Sequence, residues 1–157
     1  MCCHFTRNCA YYKASYENGS SKATNEFEVT IQGNFIDISI LEWLKLFGDH
    51  NDKHHWKKVV ENPDDFKSGM FESCSITEDD LVECRESFKT YRDKFVAHLD
   101  SEETMQIPVI DLALKVVKYY YECVSNELGI SNLGRLPKSI ESYYQDCFCN
   151  AGEYFEK

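Results

Sequence analysis

Apolar residues recur along this chain at intervals of three and four, the rhythm of helices buried along one stripe. Phe5, Cys9, Tyr12 and Tyr16 predict a short helix over Cys2–Tyr16, which Asn18-Gly19-Ser20-Ser21 then breaks. Phe27, Val29 and Ile31 alternate instead, as in a lone strand or an extended loop, and no second such segment offers a partner. A helix is expected from near Asp37 to Phe47. It carries Ile38, Leu41, Leu44 and Phe47 on one face, Ile40 and Trp43 beside them, and Gly48 as its stop. Trp56, Val59 and Val60 predict a short helix ending before Pro63. The clearest helix is Ile76–Leu99, where Leu81, Cys84, Phe88, Tyr91, Phe95 and His98 form one inward row and Thr77 with Asp80 forms a capping pair. A further helix opens near Pro108, ends at Gly129 and buries Ile110, Ala113, Val117, Tyr120, Val124 and Leu128. The last runs from Pro137 to Phe155 on Ile140, Tyr144, Cys147, Ala151 and Phe155.

Composition agrees with that pattern. The chain has 157 residues, 43% hydrophobic and 28% charged, which suits one globular domain. Its 7 Gly and 3 Pro are too few for a turn-rich β fold. The expectation is an all-α, single-domain bundle of four to five helices over 1–157, with residues 1–36 as a peripheral helix plus loop. No internal repeat or low-complexity run interrupts it.

Charge narrows the function. A net charge of −10 favours solubility and repels polyanions at long range, so nucleic-acid binding would require a local basic patch. Met1–Phe5 lacks the basic-then-apolar pattern of a secretory signal, and no run approaches the ~20 apolar residues of a membrane span. The expected location is cytoplasmic, with no membrane partner and with the eight cysteines reduced. They contain no C-x-x-C pair; Cys147 and Cys149 could share a metal, but small buried thiols are the better account. No cofactor is expected.

The basic patch has one candidate. Arg85, Lys89 and Arg92 fall at i, i+4 and i+7 of the Ile76–Leu99 helix, next to the inward row. Stacked cations repel by a few tenths of a kcal/mol, so a plain solvated face would interleave acids, whereas Asp79, Asp80, Glu83 and Glu86 are expected elsewhere on the helix. On a straight helix Arg92 and His98 would differ by ~9 Å in height and ~120° in azimuth, at ~1.5 Å and ~100° per residue. That suits two groups addressing different atoms of one ligand, or meeting their copies across a dimer axis.

Tyr91–Asp100 (YRDKFVAHLD) resembles the R-x(4–6)-H signature of the HEPN superfamily (higher eukaryotes and prokaryotes nucleotide-binding domains), closest to its abortive-infection-type bacterial branch. The tight likeness covers about ten residues, and a compatible helical pattern covers most of the chain. The resemblance implies a helical bundle, usually dimeric, that binds RNA or nucleotides and in many members is a metal-independent RNase in phage defence or toxin–antitoxin systems, with an antitoxin as partner. It implies that His98 moves a proton at a ribose 2′-OH or at the leaving oxygen, which an imidazole titrating near ~6.5 can do. Arg92 would hold the scissile phosphate through its fork of donors. Asp93 would orient Arg92 or its copy in the dimer, and Asp100 would position an adjacent group. Arg85 and Lys89 would bind substrate beside them.

Each assignment has a plainer competitor. His98 extends an apolar row and could be a satisfied core histidine, Arg92 could pair with an acid on a neighbouring helix, and Arg85–Lys89–Arg92 could be a solvated face. His50, His54 and His55, with Asp49 and Asp52 nearby, raise a metal-dependent enzyme, though no H-E-x-x-H pattern is present. Lys53, Lys57 and Lys58 could extend a basic surface, and Tyr119-Tyr120-Tyr121 fits packing better than base stacking. The alternative to RNA processing is a non-catalytic helical module whose acidic surface docks a basic partner.

Overall fold

The computed structural model describes residues 1–97, 106–129 and 136–156, so His98 and Asp100 lie outside the described residues. Within them are six α-helices and one minimal hairpin, an all-α architecture. The helices are α1 (Cys2–Ala14), α2 (Glu26–Phe47), α3 (Pro63–Cys74), α4 (Glu78–Tyr91), α5 (Asp111–Glu127) and α6 (Ile140–Phe155). The first helix α1 packs between α2 and α6, α3 lies on α5, and α4 leans on α2. Their apolar stripes meet in one core containing Phe5, Ile36, Trp43, Met70, Phe88 and Val117. No helix of the described residues is long and apolar enough to cross a membrane.

Several boundaries depart from the periodicity, most of them for a local reason. Phe27, Val29 and Ile31 belong to α2, not to a strand or loop. Asn25 accepts from the Glu28 N–H at 3.0 Å, while the Glu28 carboxylate accepts from Thr24 N–H and Oγ, a reciprocal cap that starts the helix eleven residues early. The alternation meant nothing for burial, since Phe27 and Val29 are 68% and 57% exposed. In the same helix Ile36, Ile40, Trp43 and Phe47 face the core, and Ile38 turns to the surface.

Asn18 and Gly19, both at positive φ, close a two-residue turn between β1 (Tyr16–Glu17) and β2 (Ser20–Ser21). The helix α1 therefore stops at Ala14 rather than Tyr16. Trp56–Lys58 is a single 3₁₀ turn, and Pro63 opens a helix instead of closing one. It stands in the first turn, where its missing N–H costs nothing, behind the Asn62 cap. At the other end of the chain, α5 begins at Asp111, beyond Pro108, and the exposed Leu128 lies past its end, with Gly129 left-handed at φ +59.

The departure at the end of α4 lies beside the candidate site. Thr77 and Asp80 form the expected capping box, but the regular helix ends at Tyr91 and the chain widens into a π-helical turn over Arg92–Ala97. Wider i→i+5 turns are rare and concentrate at functional sites. The expected relation between Arg92 and His98 cannot be followed here, because His98 lies outside the described residues. At the junction the Tyr91 hydroxyl donates to Asp37 Oδ1 at 2.8 Å, tying the end of α4 to α2.

Candidate functional site

Arg85, Lys89 and Arg92 all line one groove of about 840 Å³ between α4 and the end of α2. The opposite wall is Gly48 and the segment Asp49–Asp52. The groove thus joins two features that lie apart in the sequence, the basic stripe and the first of the three histidines. Its charged lining is four cations, Lys45, the α4 residues Arg85 and Lys89, and Arg92 at the start of the π-helical turn, against the carboxylates Asp49 and Asp52. Each of these cations also has a carboxylate partner at the groove's rim: Glu42 on Lys45, Glu86 on Arg85 and Lys89, and Asp93 on Arg92.

Contrary to the spacing-based expectation that acids lie elsewhere on the helix, the stripe carries one. Glu86 Oε1 accepts from Arg85 Nε at 3.3 Å and from Lys89 Nζ at 3.2 Å, because i+1 and i+3 neighbours can reach over the same turn. The Lys89 ammonium, then Arg85, holds the exposed Glu86 carboxyl below the usual range. Arg92 donates through Nε to Asp93 Oδ1 at 2.7 Å, with Nη2 equally close. Asp93 is therefore the group that sets the Arg92 guanidinium within this chain. All three cations are half-buried, and exposed pairs of this kind are worth ~0.2–1 kcal/mol, so an anionic ligand can replace the carboxylates cheaply.

The opposite wall is shaped by backbone constraints. A Cβ at Gly48 would sit 2.4 Å from the Leu44 carbonyl oxygen, so the chain can fold back over the end of α2 only with glycine there. Asp49 Oδ1 accepts from the Asn51 N–H and Asp52 Oδ1 from the His54 N–H, both at 2.8 Å, making two short side-chain-to-backbone turns. Lys58 Nζ reaches back to the Asn51 carbonyl at 2.9 Å.

The three histidines separate. His50 lines the groove, His54 borders a different depression with Met1 and Lys53, and His55 is buried at 1% exposure. The rings of His50 and His55 pack edge-to-face, 4.6 Å between centroids. Burial first, then the charges of His50, Lys57, Lys58 and Arg85, pushes the His55 imidazole down to about 4. Among the described residues no group of three or more His, Cys, Asp or Glu is placed to hold a metal. Cys147 is buried while Cys149 is exposed, and all eight cysteines are free.

Two other candidates resolve into packing and loop support. Tyr119 packs tilted against Phe66, Tyr120 packs against Phe47 and Phe66, and the Tyr121 hydroxyl donates to the Pro137 carbonyl. Lys57 covers the Trp56 ring at 5.4 Å, and Lys53 lines the neighbouring depression, which shares Lys45 and Asp52 with the groove. Lys45, Gly48 and the Asp49–Asp52 turn were missed as groove components. Their one legible signal was a glycine stop followed by Asp-His-Asn-Asp, a turn sequence that says nothing of the helix it will face. Compared with known proteins, the chain matches no family model, no curated protein and no solved structure.

Proposed function

We propose that this protein is a HEPN-like RNA- or nucleotide-binding protein whose groove between α4 and Asp49–Asp52 holds phosphate groups, and that it cleaves RNA without a metal. The observation that supports this reading most is the placement of Arg85, Lys89 and Arg92 on one wall of a groove rather than on an open face. A groove concentrates three cations on one ligand and lowers the local dielectric around them, which raises their attraction for a phosphate above that of the same charges in bulk water.

The chemistry is acyl-free and balanced within the RNA. The ribose 2′-oxygen bonds to phosphorus as the bond from phosphorus to the 5′-oxygen breaks. The 2′-OH proton passes to His98, and the leaving 5′-oxygen takes one back, leaving a 2′,3′-cyclic phosphate and a 5′-hydroxyl. Arg92, aligned by Asp93, neutralises the charge that builds on the non-bridging oxygens. Arg85 and Lys89 hold the neighbouring phosphate, and a second copy of the chain supplies a second Arg92 and His98. In a defence setting an antitoxin would restrain this activity.

The test uses a labelled single-stranded RNA in EDTA. Wild-type protein is expected to bind it and to produce cyclic-phosphate ends. Lys89→Glu combined with Arg92→Glu should abolish binding, and His98→Ala should bind but not cut. Equal binding by the charge-reversed variant would remove the groove from consideration. Full cleavage by His98→Ala would remove His98 as the catalyst.

A further inference from the structure

The groove's second wall hides a hydrogen-bond donor that the fold itself does not use. His55 Nδ1 accepts from the Lys57 N–H at 3.3 Å, so the neutral ring carries its proton on Nε2. That nitrogen is buried and has no hydrogen-bond partner among the described residues. Buried donors are almost always matched, and one left open asks for an acceptor that arrives from outside. Between the His55 ring and the groove stands His50, exposed, lining the groove and in edge-to-face contact with the His55 ring. No hydrogen bond holds the His50 ring in place among the described residues, because the turns on either side are closed by Asp49 and Asp52.

Resting on the reading of the groove as a phosphate site, we propose that His55 is its neutral phosphate donor: the His50 ring swings aside, and His55 Nε2–H donates to an oxygen of a phosphate held by Arg85 and Arg92. The surroundings specify an anionic oxygen rather than a base carbonyl. Arg85 on the facing helix is near enough for its charge to bear on His55, and Lys57 and Lys58 add positive potential from behind. Burial first, and then His50 and those cations, keeps the ring uncharged, so it acts as a fixed directional donor while the arginines supply the charge. A neutral donor inside a cationic groove selects for geometry, which a row of flexible cations does not. The sequence pattern hid this role, since His50, His54 and His55 together look like a metal cluster.

Two measurements on the full-length protein decide the matter. The first follows the imidazole nitrogens and their protons by NMR while inorganic phosphate, then a short oligouridylate, is added. The His55 Nε2–H proton should move downfield and the mutual ring shifts of His50 and His55 should collapse. The second measures oligouridylate affinity for wild type, His55→Phe and His55→Gln. Loss of one hydrogen bond to a charged oxygen should weaken binding about 10-fold in His55→Phe. His55→Gln carries an amide donor near the Nε2 position and should recover most of it. Unmoved His55 signals with both probes, or equal affinity in His55→Phe, overturn the proposal. If RNA binds and His55→Phe binds it equally well, the donor role is wrong and the groove reading survives. If phosphate shifts His55 but the oligouridylate does not bind, the donor role stands and the RNA reading falls.

Discussion

Acid should destabilise this protein through His55. The perturbation is a change from pH 7 to pH 4.5, compared between wild type and His55→Phe. His55 is held neutral in the fold, its pKa pushed from 6.5 to about 4 mainly by burial. At 1.36 kcal/mol per unit, the whole shift corresponds to about 3 kcal/mol. The sign follows from which state binds the proton. Between the two values the unfolded chain is protonated and the folded chain is not, so stability is intact above ~6.5 and falls as pH drops towards 4. Roughly 2 kcal/mol of it should be gone by pH 4.5. Urea denaturation at a series of pH values measures this. Wild type also carries lowered carboxylates at Glu28, Glu78 and Asp80, and a raised one at Asp37 where burial outweighs the Tyr91 hydroxyl. These are common to both proteins and cancel in the difference. If the two stability curves stay parallel from pH 7 to 4.5, or if the His55 ring titrates near 6.5, His55 is not desolvated as described.

Three further outcomes test the scaffold and the groove. Phe88→Ala removes a fully buried ring that meets Trp43 edge-on at 4.9 Å and should cost ~3–5 kcal/mol by thermal or urea unfolding. Asn25→Ala removes the cap on α2 and should cost ~1 kcal/mol, with fraying over Glu26–Val29 visible as faster amide exchange; no change would mean the helix is held there by packing alone. Gly48→Ala forces a Cβ to within 2.4 Å of the Leu44 carbonyl, so it should destabilise by ~1–3 kcal/mol and weaken RNA binding by displacing Asp49–Asp52.

An overall charge of −10 and a phosphate groove are compatible because they act at different ranges. At physiological salt, exposed charges are screened beyond ~8 Å, so the net charge slows encounter while Arg85, Lys89 and Arg92 act on a ligand in contact. Under the proposed reading, single-strand binding should fall steeply as salt rises, which a salt titration of oligouridylate affinity measures.

The sequence by itself determined the helices that end on strong local chemistry. Thr77 with Asp80, and the row Cys84, Phe88, Tyr91, encode α4 through short-range bonds and period alone, as Ile140, Tyr144, Cys147 and Ala151 encode α6. Pro63 and Asn25 carried equally local signals, but these were outweighed by the general tendency of proline to end helices and by an alternation that burial never used. What only the tertiary structure decided was the meeting of distant pieces. Arg85 and His50 are thirty-five positions apart, and nothing in either segment specifies that Gly48 turns the chain back towards α4. The same holds for His55, whose contact with His50 depends on how that turn packs. Periodicity reports which face of an element is apolar; which elements share a groove is set by how those faces pack together, and that information is spread over the whole core.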